Sequence, residues 1–124
     1  MWTYEQATGR ILDPEGALFA TGYAGHGAGK NDPALQGVVD IGPLPAGTYT
    51  LGVPRDSAQL GPYAIPLIAD PSNAMFGRSG FYLHGVSASH PGAASCGCIV
   101  LSPEGLRAAI YDSGDHVVRV IAGP

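Results

Sequence analysis

The chain has 124 residues, long enough to bury roughly two-thirds of the surface its unfolded form exposes, so that its core needs no metal or disulfide staple. Its formal net charge is −4, and its six Lys plus Arg do not cluster, which argues against the basic patch a nucleic-acid partner requires. No apolar run approaches the ~20 residues that cross a bilayer, and no repeat or linker divides residues 1–124, which read as a single domain.

Glycine (19) and proline (11) are both frequent while charge is sparse. That balance belongs to short strands joined by tight turns, because Gly and Pro punctuate the backbone. In chain order, Trp2-Thr3-Tyr4, a turn at Ala7-Thr8-Gly9 and the return Arg10-Ile11-Leu12 form a hairpin. A second turn at Asp13–Gly16 leads into a strand over Ala17–Thr21. Residues Gly22 to Pro33 are glycine-rich and read as a loop, with no Gly-Lys-Ser/Thr ending or following helix to make it a phosphate cradle.

Ile41 to Gly47 is a rigid turn opening the strand Thr48–Leu51. Pro66 interrupts a further strand, Tyr63–Ile68, and predicts an edge position or a bulge. Gly80–His84 reads as a strand that opens into a loop, and Cys98–Leu101 as a short buried strand. One helix is predicted, with Ser102 as N-cap, Pro103 at the first helical position and an end between Tyr111 and Gly114. His116–Ile121 closes a mainly-β fold with one or two short helices.

Cys96 and Cys98 stand one residue apart, too close for ordinary disulfide geometry, and read as thiols. His84 ends one strand and Cys98 begins another, so the loop between them brings a base towards a nucleophile. A thiol of ordinary pKa, about 8.5, needs such a partner because only the thiolate attacks. Histidine takes and returns a proton close to neutral pH. Ser95-Cys96-Gly97 brings backbone near a substrate carbonyl, with the amides of Gly97 and Cys98 as donors to an oxyanion. Two structural alternatives stand beside this reading: Cys98 as a buried apolar residue with His84 as a core histidine, and a zinc site from Cys96, Cys98, His84 and His90. His26 and His116 read as loop and strand-end residues.

His84-Gly85 followed by Ser95-Cys96-Gly97-Cys98-Ile99 resembles the His…Ser/Thr-His-Gly-Cys signature of the YkuD-type L,D-transpeptidases. More closely, the chain resembles the Tlde1 family, the L,D-transpeptidase-like effectors of type VI secretion. The matching pieces are the opening hairpin, Gly25-His26-Gly27-Ala28-Gly29-Lys30-Asn31, Gly42 to Tyr49, Gly77-Arg78-Ser79-Gly80-Phe81 and the Cys/His signature, in order over nearly the whole length.

The resemblance implies an L,D-transpeptidase-like β-sandwich or barrel and a cysteine enzyme that needs no cofactor or metal. Its substrate would be the peptide stems of peptidoglycan, cut between diaminopimelate and D-Ala of a tetrapeptide through a thioester on Cys98. It further implies His84 as base and then acid, with Ser95, Gly97 and Gly85 shaping the site. Delivery would be through a secretion machine without a Sec signal peptide, whose basic and apolar stretches the N-terminus lacks. Action would be in the periplasm of a target bacterium, with a secretion-machine component and an immunity protein as partners. Cys96 stands where the wider signature has His, and Val100 where it often has Arg. Cys96 is therefore assigned to the pocket lining and Arg78 to the substrate carboxylate, which an Arg grips in a bidentate manner. The reading from another class is a non-catalytic cell-wall-binding or phage-structural module on the same scaffold.

Overall fold

The structure is a computed structural model and describes residues 1–86 and 97–123. Ten strands run in chain order: β1 Trp2–Glu5, β2 Arg10–Leu12, β3 Leu18–Thr21, β4 Tyr23–Ala24, β5 Gly47–Leu51, β6 Arg55–Ser57, β7 Gly61–Ala69, β8 Tyr82–His84, β9 Ile99–Val100 and, after the helix α1 Glu104–Asp112, β10 Val117–Ile121. Two short 3-10 turns, Gly27–Gly29 and Pro33–Leu35, lie between β4 and β5. The fold is mainly β, as predicted.

The strands form one mixed sheet in the order β3-β2-β1-β10-β5-β7-β8-β9-β4, with β6 pairing on β7. The order is an open path, with no pair among the described residues closing it into a barrel. Two pairs are parallel, β1 with β10 and β8 with β9. The first joins the two ends of the chain in register, Trp2 beside Val118 through Glu5 beside Ile121. Alternation sends Trp2, Tyr4, Tyr49, Ile65, Leu67, Leu83, Ile99, Val118 and Val120 to one face, where they form the core with Ile110 of α1.

Three predicted features differ from the structure. Pro66 lies inside β7, which pairs with β5 and β6 on one side and β8 on the other. It is tolerated where β5 ends: Gly52 N–H donates to the Pro66 carbonyl (2.8 Å), and the bond lost is the reciprocal one that proline cannot make. Ser102 is not the N-cap. Pro103 takes that place without a side-chain cap, while Ser102 Oγ accepts the Val86 N–H (3.1 Å). The glycine-rich stretch is not wholly loop, since Tyr23–Ala24 forms β4 against β9. Two residues are too short a run for alternation to reveal a strand.

Candidate active site

β8 and β9 carry the two residues on which the chemistry turns. Their parallel register sets Leu83 beside Ile99 and His84 beside Val100. Continued by one residue, it sets Tyr82 beside Cys98. Cys98 precedes the ladder, and its Sγ accepts the Tyr82 N–H at 3.3 Å, where a backbone carbonyl would otherwise stand. A backbone N–H aimed at sulfur favours the thiolate, because hydrogen bonds to the charged form stabilise it. Cys98 is buried but keeps some exposure, at 8%.

His84 is almost wholly buried. Its Nδ1 lies 2.7 Å from the Gly85 carbonyl, which only accepts, so Nδ1 carries the proton. Nε2 is then the basic nitrogen of the neutral ring, and it is buried with no hydrogen-bond partner among the described residues. Burial, and secondarily the Arg107 guanidinium, push the His84 pKa down, against the opposing pull of the Gly85 carbonyl. The imidazole is therefore neutral at neutral pH and ready to accept a proton. His84 on β8 and Cys98, just before the neighbouring β9, are offset by two residues or ~6.6 Å of strand. Catalytic hydrogen bonds often tighten only when substrate is bound.

Two buried arginines hold this pair in place. Arg107 of α1 donates through Nε to the Tyr63 carbonyl (3.0 Å), Nη1 to Leu101 (2.7 Å) and Nη2 to Pro62 (2.9 Å). It thereby ties the start of β7 to the chain just past β9. A Cβ on Gly85 would lie 2.8 Å from Arg107 Nη1, so the residue after His84 has no room for a side chain. Arg78 donates to the carbonyls of Gln36, Pro43 (2.8 Å) and Gly42 (3.0 Å) and lies over the Phe81 ring. Arg78, assigned from the sequence to a substrate carboxylate, thus holds three backbone carbonyls of residues 36–43.

Gly97 occupies the crowded corner between these parts. Its φ is +116°, and a Cβ there would come within 2.4 Å of Arg78 Nη2 and 2.7 Å of the Phe81 ring. Its carbonyl accepts the Leu44 N–H (2.9 Å). Leu44 belongs to the turn that Gln6 (Nε2 to the Leu44 carbonyl, 2.9 Å) and Tyr49 (Oη to the Pro45 carbonyl, 2.7 Å) clamp from inside. Ser95 and Cys96, assigned to the site from the sequence, and His90, of the zinc alternative, lie outside the described residues. Among the described residues no group of three or more His, Cys, Asp or Glu is placed to hold a metal ion.

The sequence reading missed the Tyr82 amide, since any residue supplies one and only register aims it. Arg107 was legible in principle: it falls three residues before Ile110, on the stripe α1 buries.

Comparison with known families matches residues 19–121 to the Tlde1 domain. The chain belongs to the Tlde1 domain family. That family sets the chain in the context of type VI secretion effectors, and its matched span takes in every described residue of the candidate site. No curated protein matches the chain. Among the described residues no helix is long and apolar enough to cross a membrane.

Proposed function

We propose that this Tlde1-domain chain is a cysteine L,D-carboxypeptidase and L,D-transpeptidase. Its substrate is the bond between diaminopimelate and D-Ala in the tetrapeptide stems of peptidoglycan. The observation that carries the reading is the pairing of a Tyr82 N–H directed at Cys98 Sγ with a buried His84 Nε2, on the adjoining strand, that has no hydrogen-bond partner among the described residues.

In this reading His84 Nε2 takes the Cys98 proton, and the sulfur attacks the carbonyl carbon at the L-centre. Negative charge gathers on the carbonyl oxygen, for which the Gly97 and Cys98 amides are the donors. The C–N bond then breaks, the imidazolium returns its proton to the departing amine, and D-Ala leaves a thioester on Cys98. Water on the thioester completes hydrolysis. A D-amino acid or another stem's amine completes exchange or cross-linking. Arg78 and Arg107 act by positioning, Ser95 and Cys96 line the substrate side, and neither cofactor nor metal takes part. The protein acts in the periplasm of a target bacterium after delivery by a secretion machine, and an immunity protein protects the producer.

Purified muropeptides incubated with wild type and Cys98→Ser, with and without an added D-amino acid, test this by mass spectrometry. Loss or exchange of D-Ala is expected with wild type alone. Turnover by Cys98→Ser would remove the nucleophile assignment, and no turnover by either protein would leave a binding module in its place.

A further inference from the structure

Resting on that reading, a substrate whose last residue bears a free carboxylate is matched most directly by a cation near the nucleophile, and the chain has only six Lys plus Arg. Four are placed elsewhere. Arg78 and Arg107 point into backbone carbonyls. Arg10 lies beside the buried Glu5 (3.6 Å), and Arg119 sits on β10, four strands from β9 in the sheet order. Lys30 rests over the ring of Tyr23, 4.3 Å from its centroid, and Tyr23 is on β4, which pairs with β9 on the side away from β8 and His84.

The sixth is Arg55, which is exposed on β6. Its Nη2 donates to Tyr82 Oη, and its guanidinium lies 5.2 Å from the Tyr82 ring centroid. Register explains where this brings the charge. Arg55 pairs with Ala64, and continuing the β7–β8 register from Ile65 beside Leu83 sets Ala64 beside His84. From the row of His84 the arginine side chain leans onto Tyr82, which is in the row of Cys98 and whose own N–H meets Sγ. A carboxylate one residue past the scissile carbonyl lies within ~5 Å of it, and neighbouring strands are ~4.8 Å apart. The guanidinium is braced on the side chain of Tyr82, the residue whose N–H meets Cys98 Sγ, and its planar fork matches a carboxylate.

We infer that Arg55, braced by Tyr82, forms the subsite for the free α-carboxylate of the residue beyond the scissile bond. The subsite selects peptides that end at that residue.

The test measures binding of a tetrapeptide ending in D-Ala, and of its C-terminal amide, by calorimetry in the Cys98→Ser background. Arg55→Ala, Arg55→Lys and Lys30→Ala are added singly, and alkylation of Cys98 by iodoacetamide in the corresponding wild-type-cysteine variants checks that the site is intact. The acid is expected to bind about 10- to 100-fold more tightly than the amide. Arg55→Ala should erase that difference, Arg55→Lys restore part of it, and Lys30→Ala and the alkylation rate stay unchanged. An acid preference that survives Arg55→Ala, that disappears with Lys30→Ala instead, or that is absent from the outset overturns the subsite. Acid-selective, Arg55-dependent binding without turnover by wild type would keep the subsite and overturn the enzymatic reading.

Discussion

Burial and the neighbouring Arg107 charge both hold the His84 ring below the usual imidazole range, and two pH effects follow. The acid limb of kcat/KM against pH should fall below ~6.5, the ordinary histidine value, because the base stays neutral to lower pH than a free imidazole. Arg107→Gln removes a cation that disfavours imidazolium, so the limb should move to higher pH, whereas Arg107→Lys should leave it near the wild-type position. An unmoved limb in Arg107→Gln would mean that Arg107 acts only as a brace. The second effect is on folding. A histidine whose folded pKa is depressed binds its proton more readily when unfolded, so it contributes stability that is present above ~6.5 and lost as pH falls towards the folded pKa. Thermal melts between pH 7 and pH 5 should show wild type losing more stability than His84→Asn.

At the scale of elements, the nucleophile is placed by a corner. The Gly97 carbonyl holds the Leu44 N–H, Arg78 Nη2 crowds the Gly97 Cα, and Arg78 in turn fastens residues 36–43. Gly97→Ala would force a Cβ into Arg78 and Phe81 at a positive φ that side chains avoid. We expect loss of most activity together with a lowered melting temperature. Arg78→Met leaves several buried carbonyls without their donor, at ~1–3 kcal/mol for each group left unsatisfied. Chemical denaturation should show the loss, and iodoacetamide labelling of Cys98 should change with it, since Gly97 would lose a wall. Unchanged labelling would detach Arg78 from the nucleophile.

Over the whole molecule, one face of the sheet is core and the strands that carry Cys98 and His84 are braced from behind by it. Leu83 and Ile99, the neighbours of His84 and Cys98 in sequence, turn into that core beside Ile110 and Leu67. Shortening Ile110 to Ala in this close-packed interior should cost about 2–5 kcal/mol in denaturant unfolding. Leu18→Ala, at a residue 58% exposed, should change stability by under ~0.5 kcal/mol. Equal effects would mean that α1 is not part of the cooperative core.

The sequence by itself determined the local structure and the chemical alphabet. Alternation marked the opening hairpin and β10, because period two is printed in the order of apolar residues, and β-branched and aromatic content marked β5. Cys98 and His84 stood out because a thiol nucleophile and an imidazole base each need one residue type, and Gly97 because a residue without a side chain lets the backbone approach a substrate. Tertiary structure decided what depends on register between distant segments. It turned the Tyr82 amide onto Cys98 and set Pro66 inside the sheet where β5 ends and only its carbonyl is used, by the Gly52 N–H. It also joined β4 to the nucleophile strand, aimed Arg78 at carbonyls and brought Arg55 to Tyr82. No local pattern encodes those pairings, since an arginine looks the same in sequence whether it faces a backbone carbonyl, a tyrosine or water, and only the packed sheet distinguishes them.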